Sequence, residues 1–158
     1  MPRLVPSFHA CLLTSLLFAS ANATAGGYQV YETDSSFDDV LDGLEAAIRE
    51  RGMYINNVMN MGEMLDRTGK DLGTAEPIYT HAKSIEFCSA TLSRAMLQED
   101  PTRIVNCPFI ISVYERHEEP GTTYLVHREI PLDERTASPA MARIATTYAE
   151  LAEAAIAW

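Results

Sequence analysis

Apolar positions along this chain recur with two different periods. From Phe37 onward, Phe37, Val40, Leu41, Leu44 and Ile48 fall at helical spacing, with Asp38, Asp39, Asp42, Glu45 and Arg49 on the opposite face. Asp34-Ser35-Ser36 offers capping side chains ahead of this run, and acids crowd its first turn, where the helix dipole favours them. Gly52 stops it. Ala90 to Glu99, with Leu92, Ala95, Met96 and Leu97, predicts a second helix that Asp100-Pro101 ends. A third stripe runs through Met141, Ile144, Ala145, Tyr148, Leu151, Ala152 and Ala155. Ser138 caps it and Pro139 takes the first helical position, so the helix is expected over 138–157.

Between these stripes lie shorter runs that read as strands: Tyr28 to Thr33, Met53 to Met61, Pro77 to Cys88, Phe109 to Glu115 and Thr123 to Ile130. The turn Glu118-Glu119-Pro120-Gly121 joins the last two as a hairpin. From Gly62 to Ala75, three glycines surround a short helical piece, Glu63 to Arg67. This order predicts an α+β fold: one compact domain over 26–158, a mixed or antiparallel sheet with helices on one face, a two-layer sandwich. No internal repeat, low-complexity tract or linker interrupts it.

The first 25 residues change the picture. Arg3 gives a positive start, Ala10 to Ala21 is a short apolar run, and Ala23-Thr24-Ala25 places small residues where a signal peptidase cuts. The run is too short for a stable bilayer-spanning helix, and Cys11 lacks the neighbours of a lipidated cysteine. The expectation is a cleaved signal peptide over 1–25, a periplasmic or secreted product, and no membrane anchor after cleavage. The excised segment holds one arginine and no acid, so cleavage takes the formal net charge from −10 to −11. Such a surface repels phosphate backbones and anionic lipid, which argues against nucleic-acid binding.

Cys88 and Cys107 survive that cleavage. An isolated pair in an oxidising compartment tends toward a disulfide, here closing a loop of about twenty residues worth about 3 kcal/mol by chain entropy. They form no C-x-x-C motif. A thiol-dependent enzyme built on Cys88 would need His81 as its base, but seven residues along a strand place the two on opposite faces.

Met59, Met61 and Met64 form M-x-M-x-x-M, a soft-donor pattern suited to copper(I), and His81 could join it. His81 or His127 could serve a non-covalent haem, while the absence of C-x-x-C-H excludes covalent attachment. Flexible core filling is the simpler role for the methionines. Glu63, Asp66 and Asp71 lack the spacing of a calcium loop, and Arg67-Thr68-Gly69-Lys70 lacks that of a phosphate loop. No nucleophile elbow, H-E-x-x-H or dinucleotide fingerprint occurs.

Several segments together resemble the bacterial and archaeal family called "domain of unknown function 302". They are Phe37 to Gly52, the run MLDRTGKDLG from Met64 to Gly73, Ile85 to Ala90, Asp100-Pro101, Cys107-Pro108-Phe109 and Val113-Tyr114-Glu115. The resemblance covers about residues 30 to 130 and implies a compact α/β sandwich, often a homodimer, with no established activity. Many members carry a cysteine after the proline of the Cys107-Pro108-Phe109 segment. Here the cysteine precedes Pro108.

The preferred reading is an exported, non-enzymatic module that binds a small ligand or a periplasmic protein, homodimeric and stiffened by a Cys88–Cys107 disulfide. Its ligand groove is expected between the sheet and Met64 to Gly73, with Met64, Arg67, Asp71 and His81 as contacts. The alternative is a copper or haem accessory protein using Met59, Met61, Met64 and His81. A pairing strand for self-association is expected at Ile110 to Tyr114, provided it lies at a sheet edge.

Overall fold

The computed structural model describes residues 27–74 and 76–158; the proposed signal peptide lies outside them. Five strands, β1 (Tyr28–Thr33), β2 (Tyr54–Asn60), β3 (Tyr79–Cys88), β4 (Phe109–Arg116) and β5 (Thr123–Arg128), form one sheet in the order β1-β5-β4-β3-β2. Every neighbouring pair is antiparallel. Helices α1 (Phe37–Glu50), α2 (Met61–Leu72), α3 (Ala90–Glu99), α4 (Leu132–Ala137) and α5 (Pro139–Ile156) complete the α+β domain. Among the described residues no helix is long and apolar enough to cross a membrane.

Register explains which side chains reach the core. Gln29, His127, Ile111, Ile85 and Val58 form one cross-strand row, and the neighbouring row is Val30, Val126, Ser112, Ser84 and Met59. Side chains alternate between faces along a strand, so the first row faces the helices and the second lies on the uncovered face. Ile111 and Ile85 are fully buried, whereas Val30 is 54 % exposed. On the uncovered face Ser84 and Ser112 share a hydrogen bond of 2.7 Å.

The amphipathic stripes of α1 and α5 meet over the inner face, burying Val40, Leu44, Ile48, Met141, Ile144 and Leu151. The Ser36 hydroxyl accepts from the Asp39 N–H at 3.2 Å, and Gly52, with φ +68°, turns the chain back after α1. Gly43 lets the two helices close: a Cβ there would sit 2.7 Å from Trp158 Cβ. At the start of α5 the Ser138 hydroxyl accepts from the Met141 N–H, and Glu99 accepts from the Ser138 hydroxyl and from the Ala140 N–H. Those bonds, with the Arg103 guanidinium, hold the Glu99 carboxyl below its ordinary range.

Four expectations are corrected. The strand foreseen over Met53 to Met61 ends at Asn60, whose side chain accepts from the Glu63 N–H and so caps α2. The helical piece foreseen at Glu63 to Arg67 extends over Met61–Leu72. Asp100-Pro101 ends α3 but also opens a 3-10 turn, Pro101–Asn106, which Asp100 caps through the Thr102 N–H. Finally, β4 lies at the centre of the sheet, so Ile110 to Tyr114 offers no free strand edge for pairing.

Candidate functional site

β4 and β5 pair only as far as Ile111 and His127. One residue beyond, the Ile110 N–H donates instead to the Tyr148 hydroxyl of α5 at 3.3 Å. Tyr148 thus reaches the sheet where the two strands part. Its ring stacks on His127 with centroids 4.7 Å apart and planes within 7°, and it meets Phe87 and Phe109 edge-on at 6.2 and 5.9 Å. These aromatic contacts fix the ring, and the hydroxyl satisfies an amide that the strand ladder leaves unpaired.

His127 is buried and its state follows from its partners. Nδ1 lies 2.8 Å from the Arg128 carbonyl, which can only accept, so Nδ1 carries the proton. Nε2 is then the acceptor that the Tyr31 hydroxyl reaches at 3.5 Å. Burial lowers the His127 pKa, against the opposing pull of the Arg128 carbonyl and Glu129, and keeps the ring neutral. Burial also pushes the Tyr148 phenol up to about 12, with nearby Cys107 adding to the rise.

A cavity of about 270 Å³ opens beside this pair. Tyr28, Ile110 and Val126 line it from the sheet, Ile130 and Ile144 from the chain beyond β5 and from α5, and Asn106 and Pro108 from the link into β4. Arg128 is the one formally charged side chain in the lining, and no carboxylate lines it. The Arg128 guanidinium donates to Asn106 Oδ1 at 3.0 Å and, among the described residues, makes no ion pair. In a chain with 22 acidic residues, an arginine without a carboxylate partner beside an apolar cavity is a chemical signal.

The cysteines lie at the same end of the sheet. Both are free thiols, half-buried, and both meet one hydroxyl: Cys107 Sγ donates to Ser93 Oγ at 3.4 Å, and Cys88 Sγ lies 3.5 Å from that same oxygen. His81 sits near the other end of β3, against Phe37 at 5.1 Å, and is not the partner of Cys88.

The residues foreseen around α2 are divided. Arg67 and His81 do line one cleft of about 300 Å³, together with both lysines of the chain, Lys70 and Lys83, and the acids Glu63 and Asp66. Met64 and Asp71 are exposed and do not line it. Met59 lies on β2, while Met61 and Met64 lie on α2, so no common strand face gathers them. None of the three lines either cleft that contains His81. Among the described residues, no group of three or more His, Cys, Asp or Glu side chains is arranged to hold a metal ion.

The family model described as "Domain of unknown function DUF302" matches residues 29–157. The chain belongs to this family. The fold agrees with the crystal structure of an uncharacterized conserved DUF302 protein from Bacillus stearothermophilus, with a TM-score of 0.66. At 16 % identity the match covers 83 % of this chain and 99 % of that one. No curated protein matches the chain. Arg128, Asn106, Tyr31 and Tyr148 were not singled out by the sequence as site residues; Tyr148 appeared only as one position in an apolar stripe. Its phenol, a polar handle on a core-facing residue, was the available signal.

Proposed function

We propose that this DUF302 protein is a non-enzymatic binding domain for small apolar carboxylates, held in the cavity between β4, β5 and the link at Asn106 to Pro108. The observation that carries the reading is Arg128, a cation with no carboxylate partner on the rim of an otherwise uncharged and mostly apolar cavity. A guanidinium fork suits a carboxylate, and each methylene group placed against the apolar walls adds about 0.8 kcal/mol. Tyr148 supplies a second anchor. Its oxygen already accepts from the Ile110 N–H, and its own proton, given to no other described residue, is available to the bound anion. His127 and Tyr148 are both held in their neutral forms, which suits a fixed lining better than proton transfer.

Octanoate titrated calorimetrically into the protein tests this, with octanol as the uncharged control. Arg128→Gln should weaken octanoate binding about tenfold or more, because a charge-assisted hydrogen bond is worth about 1.5–3 kcal/mol. Equal binding of octanoate and octanol, or an unchanged affinity in Arg128→Gln, would remove the reading.

Export and self-association belong to the same proposal. Residues 1–25 carry the sequence pattern of a signal peptide, and the uncovered sheet face presents Val30, Tyr54 and Met59 to solvent. That face, rather than a strand edge at β4, is the surface proposed for a homodimer. Sedimentation of the purified protein distinguishes one copy from two.

A further inference from the structure

We propose that Cys88 and Cys107 form a thiol–disulfide exchange site that reacts with low-molecular-weight disulfides of the glutathione class, and that its oxidation weakens the carboxylate cavity. The second half of this inference rests on the binding reading above. The first half does not.

Geometry supports the exchange. Phe87 pairs with Phe109 where the β3–β4 ladder ends, Cys88 is the next residue of β3, and Cys107 lies two residues before β4 begins. Their sulfurs lie no farther apart than the two contacts to Ser93 laid end to end, 3.5 and 3.4 Å. Ser93 links the two sulfurs: its oxygen accepts the Cys107 S–H, leaving its own proton free for Cys88 Sγ. In the proposed exchange Cys88, the sulfur that the Ser93 hydroxyl can reach as donor, is the one that attacks.

The chemistry balances with the added disulfide as oxidant. The Cys88 thiolate attacks one sulfur of the reagent, breaking its S–S bond and releasing one thiolate, which takes a proton from water. Cys107, once deprotonated, attacks Cys88 Sγ in the mixed disulfide and expels the second reagent thiol. The protein loses two hydrogens, the reagent gains them, and a Cys88–Cys107 bond remains.

Oxidation also reaches the cavity. β4 lies between β3 and β5, so joining Cys107 to Cys88 draws the start of β4 toward β3 and away from β5. Asn106 and Pro108, which flank Cys107, both line the cavity, and Asn106 accepts from the Arg128 guanidinium. The bond that orients the guanidinium is loosened.

The protein is equilibrated in glutathione buffers from fully reduced to fully oxidised, and each sample is read by intact mass and octanoate titration. The Ile110 amide resonance provides a readout that needs no ligand. The expected result is an intramolecular disulfide absent from Cys88→Ser and Cys107→Ser, formed more slowly in Ser93→Ala. Octanoate affinity falls about fivefold or more on oxidation, and the Ile110 amide shifts. Failure to form the intramolecular disulfide in any buffer overturns the exchange site. A disulfide that leaves both octanoate affinity and the Ile110 amide unchanged overturns the coupling. If octanoate binds neither form while the disulfide appears and the amide shifts, the binding reading fails and the thiol site with its effect on β4 stands.

Discussion

Replacing Tyr148 by Phe removes one oxygen and keeps the ring that packs on His127, Phe87 and Phe109. The loss falls on the Ile110 N–H, whose partner is that oxygen at 3.3 Å. A net intramolecular hydrogen bond contributes about 1 kcal/mol, and the adjoining cavity admits water that limits the cost of the orphaned amide. Tyr148→Phe is therefore expected to be about 1 kcal/mol less stable than the wild type at pH 8. The second part of the expectation concerns alkali. The phenol is pushed up to about 12 in the fold by burial, against about 10 in an unfolded chain. A group whose folded pKa is raised stabilises the fold fully below its unfolded pKa, and that contribution disappears as pH rises through the folded one. At about 1.4 kcal/mol per pKa unit the total is about 2.7 kcal/mol, half of it lost by pH 11.

The variant has no phenol at this position and escapes that loss. The gap of about 1 kcal/mol at pH 8 should close or reverse by pH 11. Other alkaline effects, including the Tyr124 phenol that Glu119 holds up to about 12, act on both proteins and cancel in the difference. Urea unfolding of the two proteins at pH 8, 10 and 11 measures it. A gap that stays constant across this range would show that Tyr148 is not ionised at a cost to the fold, and the picture of a buried, wedged phenol would be wrong.

Two other perturbations probe the same region and the core. His127 has a depressed pKa in the fold, so its contribution is present above its unfolded value of about 6.5 and lost as pH falls through the folded one. The thermal midpoint of the wild type should thus drop between pH 7.5 and pH 5 by more than that of His127→Phe, which keeps an aromatic ring against Tyr148. Leu44→Ala, at a position with no exposure in the centre of α1, should cost about 2–5 kcal/mol in urea unfolding.

The helices with a continuous apolar stripe and explicit caps were the legible part of the fold. Phe37, Val40, Leu41, Leu44 and Ile48 all reach the core, as their spacing requires, and Ser36 and Ser138 cap where expected. α2 was harder to see because Gly62 and Gly69 dilute its periodicity. Its start signal was nonetheless present: Asn60 caps the helix by accepting from the Glu63 N–H, and its side-chain amide donates to the Glu63 carboxylate at 3.3 Å. The turn at Pro101–Asn106 was hidden for a different reason. An Asp-Pro pair marks the end of one helix as readily as the start of the next turn, and only the Thr102 N–H on Asp100 shows which.

The cavity required information that no local pattern holds. Its walls come from Tyr28, the segment around Asn106, β5 and α5, and what joins them is strand register. His127 reads on its own as a candidate metal or haem ligand, since a histidine in a strand has two nitrogens to offer. In the fold both nitrogens are taken, by the Arg128 carbonyl and the Tyr31 hydroxyl, and the ring face is covered by Tyr148. The histidine therefore lines and supports the cavity, and the free chemistry passes to its neighbour. Arg128 carries a charge that sequence alone would assign to the solvated surface of an acidic protein. Its significance lies in the absence of any carboxylate from the cavity it faces, a relation that exists only once β5 is placed beside β4 and the Asn106 link.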